Sequence, residues 1–120
     1  MIKEISIRFL KHECLICKEK YHLYYILPET SYEHYNSNLI FDNEVLYKVK
    51  DIIRKKNLKF GEIKYRYSKT TNGKIKSFGC PKCDTILRHD QLDEIIMDTI
   101  FYKRGCIEDI KLNINSINFI

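Results

Sequence analysis

Ile5, Ile7 and Phe9 alternate with Ser6 and Arg8, the two-residue period of a strand with one face in a core. Tyr21 to Leu27 is aromatic and aliphatic enough to predict a returning strand, stopped by Pro28. Residues 29–41 hold no clear period and predict a loop whose tyrosines and Phe41 pack locally. The period then changes. Asp42 or Asn43 is a credible helix cap, and Val45, Leu46, Val49, Ile52 and Ile53 recur at helical spacing. Lys48, Lys50, Arg54, Lys55 and Lys56 fill the other face and the last turn, where cations suit the helix dipole.

Gly61 ends that pattern, and Ile63, Tyr65 and Tyr67 alternate with Lys64, Arg66 and Ser68 as a third strand. Asn72-Gly73 predicts a tight hairpin turn, because a type I′ turn needs positive φ at both positions. A two-residue turn sets Lys69 opposite Lys76 and Tyr67 opposite Phe78; a longer loop changes that register. Residues 74–79 return, and Ile86 and Leu87 continue a short strand. Asp90 is the expected cap of a second helix with Leu92, Ile95, Ile96, Thr99 and Ile100 on one face. Lys103 and Arg104 stand near its end, and Gly105 suits its C′ position. Ile110, Leu112 and Ile114 predict a closing strand. The expected core is Ile5, Ile7, Val49, Ile52, Ile53, Leu92, Ile96 and Leu112.

The chemistry lies in two pairs, Cys14-Leu15-Ile16-Cys17 and Cys80-Pro81-Lys82-Cys83. A two-residue gap lets a tight turn present both sulfurs to one metal while backbone N–H groups point at the thiolates. Two such turns supply the four tetrahedral ligands of a closed structural zinc site. Closing the intervening loop costs about 3–4 kcal/mol, against about 10–16 kcal/mol from structural zinc. The alternatives are two separate sites, completed by His12 or His22 on one side and His89 on the other, or a redox dithiol. A redox C-x-x-C normally opens a helix in a βαβ unit, whereas both pairs here sit at strand tips. The frame is therefore α+β: a zinc-ribbon-like antiparallel β-sheet with an inserted helix and a C-terminal helix–strand extension, in one domain over 1–120.

Charge adds a polarity. Of 21 basic residues, 12 fall in positions 42–83 against 4 acidic, a net +8, while residues 84–120 carry −3. Four thiolates and one Zn²⁺ would lower the formal total from +5 to +3. Met1-Ile2-Lys3-Glu4-Ile5 holds no apolar run suited to a signal peptide, so a cytoplasmic, reducing setting is expected, which favours metal over disulfide. Cys106, the unpaired cysteine, reads as a small buried hydrophobe.

From Tyr65-Arg66-Tyr67-Ser68-Lys69-Thr70-Thr71-Asn72-Gly73 to Phe78-Gly79-Cys80-Pro81-Lys82-Cys83, the chain resembles a group of uncharacterised bacterial zinc-ribbon proteins. In those, a Y-S-K-T-T-type hairpin precedes the second C-P-x-C knuckle. The resemblance covers mainly residues 60–88 and implies Cys14, Cys17, Cys80 and Cys83 as ligands, but no activity. Lys18 and Asp84 stand where such knuckles commonly carry glycine.

Three function classes follow. The basic segment with interleaved Phe60, Tyr65, Tyr67 and Phe78 suits nucleic acid, since cations neutralise phosphates and aromatic faces stack bases. Lys55, Lys56, Lys64, Arg66, Lys69, Lys74 and Lys76 are its expected contacts. A protein-binding adaptor or inhibitor is the alternative, from the excess of tyrosine and the opposite charge of the two ends. An enzyme is not expected: there is no phosphate-binding glycine loop, H-E-x-x-H or nucleophile elbow, and four cysteines leave zinc no open position. Neither a membrane nor a small-molecule substrate is implied.

Overall fold

A computed structural model of the chain describes residues 3–27, 40–69, 72–102 and 106–114. The expected loop up to Leu39, His34, residues 103–105 and the Cys106 side chain lie outside that description. The alternation around Ile7 belongs to β1 (Lys3–Glu13). It is the middle strand of an antiparallel sheet, flanked by β2 (Lys20–Ile26) and β5 (Cys106–Ile114). Ile7 pairs with Ile26 on one side and Ile110 on the other.

The sheet is covered on both faces, so β1 is not half-solvated as its alternation suggests. Ile5, Ile7 and Phe9 are buried, and so are Arg8 and Leu10. Arg8 is held by Asp109, with Nε–Oδ1 at 2.7 Å and Nη2–Oδ2 at 3.0 Å, and Nη1 reaches the Tyr25 hydroxyl and the Thr99 carbonyl. A buried guanidinium is tolerable only with this degree of pairing.

Helix α1 (Asn43–Lys56) starts at Asp42, whose carboxylate accepts the Glu44 N–H at 3.1 Å. It stops at Asn57, in the left-handed region at φ 54°, where the N–H groups of Asn57 and Leu58 donate to the Arg54 and Ile53 carbonyls. Val45, Leu46 and Val49 are buried. Ile52 and Ile53, expected in the core, are half-buried, as is Leu112, while the other five expected core residues are buried.

The hairpin β3 (Lys64–Ser68) and β4 (Gly73–Ser77) differs from expectation twice. Ser68 pairs with Gly73, so four residues connect the strands and Gly73 already belongs to β4. Asn72 does take positive φ, at 53°. The register sets Tyr65 opposite Lys76 and Tyr67 opposite Lys74, which removes the expected Lys69–Lys76 opposition. The second difference is Arg66, an expected contact residue, which points inward with Ser68 at 7% and 2% exposure, while Tyr65 and Tyr67 face solvent at 64% and 56%.

Phe78 follows β4 into the core, edge-on to Tyr24 and Phe41 at 5.2 and 5.0 Å between ring centres. It ties the hairpin to the three-stranded sheet. The short strand expected at Ile86 is a single bridge to Gly79. Helix α2 (His89–Tyr102) starts before Asp90. Gln91 reaches back to the Arg88 N–H at 3.0 Å, half of a capping box, and Asp90 pairs instead with the Arg88 side chain. No helix among the described residues is long and apolar enough to cross a membrane.

Candidate metal centre and the basic hairpin

Both knuckles have the same backbone wiring. In the first, the Lys18 N–H donates to the Cys14 carbonyl at 3.0 Å and the Cys14 N–H to the Glu19 carbonyl at 2.8 Å. In the second, Asp84 donates to Cys80 and Cys80 to Thr85, both at 3.0 Å. The residue after each pair turns left-handed, Lys18 at φ 66° and Asp84 at φ 61°. Lysine therefore adopts a conformation that favours glycine, at the cost its Cβ imposes.

β1 and β2 present one knuckle and β4 the other, and the two meet. The Sγ atoms of Cys14, Cys17, Cys80 and Cys83 all lie within 4.8 Å of one another. Cys14 and Cys83 approach to 3.6 Å, Cys17 and Cys80 to 3.5 Å. These gaps are far beyond a disulfide bond of about 2.05 Å. They fall just short of the roughly 3.8 Å edge of a tetrahedron with metal–sulfur bonds of about 2.3 Å, and the remaining separations stay within 4.8 Å. The four-cysteine cluster can hold a metal ion, and its donor set is all sulfur. His12 and His22 are engaged elsewhere: His12 packs edge-on to Tyr21, and His22 Nδ1 accepts the Lys59 N–H at 2.9 Å.

The thiols do not titrate alike. The Thr85 hydroxyl, 2.9 Å from Cys83 Sγ, and the Thr85 N–H lower Cys83 to about 6. Burial opposes ionisation of Cys14, but the N–H groups of Cys17 and Ile16 outweigh it and its pKa falls. At Cys17 the Glu19 N–H favours the thiolate, but burial and the neighbouring sulfurs push it up to about 12. Four sulfurs this close cannot all be anionic without a cation between them. A metal ion bound among them would supply it.

Arg66, expected as an outward contact, is buried beside this cluster. Its Nη1 donates to the Ser77 carbonyl at 2.8 Å, and its Nη2 to the Glu62 carbonyl and to Asp84 Oδ1, both at 2.7 Å. Room for the guanidinium comes from Gly79, where a Cβ would lie 2.4 Å from Arg66 Cζ. Gly61 is needed too, since a Cβ there would lie 2.0 Å from the Gly79 carbonyl oxygen. Asp84, beside Cys83, is thereby held below the usual carboxylate range, first by Arg66 and then by Lys64.

The other expected basic contacts separate. Lys64 is half-buried and pairs with Asp84 at 3.2 Å. Lys55 pairs with Asp51 and Lys56 with Glu108, in the last turn of α1. That turn is about 20 Å along the helix from Phe41, whose carbonyl Lys76 touches. Lys69 and Lys74 are exposed. Thr85 and the Arg66–Asp84 pair were not expected as parts of the site; a hydroxyl two residues after Cys83 is a legible signal for the first only.

No family model, curated protein or solved structure matches this chain.

Proposed function

We propose that the chain is a small zinc-braced module, allied to the bacterial zinc-ribbon proteins it resembles, that binds nucleic acid in the cytoplasm. The observation that carries this reading is the all-sulfur cluster at the base of a hairpin with outward lysines. Sulfur-only tetrahedral donors suit zinc in a reducing compartment, and a closed site leaves no position for a substrate, so we assign no reaction. The metal fixes the hairpin backbone, which lowers the ordering cost of side chains that bind from it. Lys69 and Lys74 are its exposed cations, with Lys76 between them and the helix start.

The test is anisotropy of labelled DNA and RNA oligonucleotides with zinc-loaded protein at several salt concentrations. Binding should weaken steeply with salt, and Lys69→Glu/Lys74→Glu should flatten that dependence. Absence of binding at low salt would overturn the reading. A protein-adaptor role is then favoured by Leu15 and Ile16, which stand 65% and 71% exposed at the tip of the first knuckle.

A further inference from the structure

The inward and outward positions of β3 run against the hydrophobic rule. Arg66 and Ser68 are buried while two tyrosines stand in water. On β2, by contrast, Tyr21, Tyr24 and Tyr25 are all buried. The outward face of the hairpin therefore carries two rings, each with a lysine directly opposite: Tyr65 with Lys76 and Tyr67 with Lys74. The rings are partly positioned already. The Tyr67 hydroxyl donates to Asn72 Oδ1 at 3.0 Å, and the Lys76 ammonium lies 6.0 Å from the centre of the Tyr65 ring.

We propose that this face is a stacking platform for single-stranded nucleic acid, a reading that rests on the nucleic-acid function above. Residues two apart on a strand are separated by about 6.8 Å, twice the roughly 3.4 Å step between stacked nucleotides. Successive bases meet both rings only when they are unstacked, which a single strand permits and a duplex does not. Duplex bases also keep their faces inside the stack. Lysines opposite the rings place cations where the backbone of such a strand runs, and stacking on tyrosine is indifferent to sequence. Charge and ring spacing thus select the same ligand.

The experiment uses zinc-loaded full-length protein with fluorescein-labelled dT12, rU12 and a 12-base-pair DNA duplex at matched salt. Both single strands should bind at least ten-fold more tightly than the duplex. Tyr65→Leu/Tyr67→Leu should weaken single-strand binding by about five-fold or more per ring, with the salt slope unchanged. Tyr65→Phe/Tyr67→Phe, which keeps the rings, should retain affinity. Lys74→Gln should instead reduce the salt slope by about 0.7. Circular dichroism checks that these surface variants fold. Duplex binding equal to single-strand binding, or no loss in the leucine variant, overturns the platform while nucleic-acid binding stands. No binding of any probe at low salt overturns both.

Discussion

Replacing Arg66 by methionine keeps most of the side-chain volume and removes the guanidinium. The losses divide by exposure. Ser77 is fully buried, so its carbonyl is left without the 2.8 Å donor at about 1–3 kcal/mol. Glu62 is exposed and Asp84 is 55% exposed, so water replaces those bonds and each costs only about 0.5–1 kcal/mol. The sum is about 2–5 kcal/mol, or about 8–20 °C in Tm for a chain of this size. Denaturant unfolding with excess zinc should show a lower midpoint at unchanged m-value.

Gly79→Ala isolates the cause. Its Cβ must displace the guanidinium, and no positive φ complicates the change. It should be costly in the wild type and nearly neutral beside Arg66→Ala, a coupling of about 1–3 kcal/mol. A loss below about 0.5 kcal/mol for Arg66→Met, or additive effects in the cycle, would show that the guanidinium is solvated and that the inward placement of β3 is wrong.

Purified protein should carry one zinc per chain, and Cys80→Ser should leave a poorly folded product; elemental analysis finding none, or two, refutes the single centre. Lys18→Gly should stabilise by about 0.5–1 kcal/mol, because it removes the Cβ cost at φ 66° net of glycine's greater entropy loss; destabilisation would contradict the left-handed knuckle. Burial lowers the His22 pKa from its ordinary 6.5, so the neutral ring is the folded form. The stability this provides is complete above about 6.5 and lost as pH falls through the lower folded value; a ring NMR titration midpoint at or above 6.5 would refute it. Val49→Ala, at a buried position of α1, should cost about 2–5 kcal/mol in thermal unfolding, and a negligible loss would place α1 off the core.

The elements whose information is local were legible. The α1 period and the Asp42 cap lie within a few residues of one another, and so do the cysteines of each knuckle. What depended on distant partners was not. Alternation at Tyr65–Arg66–Tyr67 shows a strand but not which face is inward; that is decided by Ser77 and Asp84, 11 and 18 residues further on. Arg8 looked solvent-facing because its partners, Thr99 and Asp109, are 91 and 101 residues away. The hairpin register failed on turn length, since Asn72-Gly73 suits a two-residue turn but Gly73 is spent on pairing with Ser68.

The placement of β1 between β2 and β5 has a consequence for synthesis. The middle strand of the sheet is made first and its second neighbour last, so one edge of β1 stays unpaired until residues 106–114 emerge. Pairing across so long a separation is slow to form, and an open edge invites association with other chains. The four clustered cysteines, however, precede β5 in the chain. A metal captured by Cys14, Cys17, Cys80 and Cys83 would join the first hairpin to the second before the last strand exists. Growth in zinc-poor medium should therefore harm the yield of soluble protein more than the stability of what has already folded.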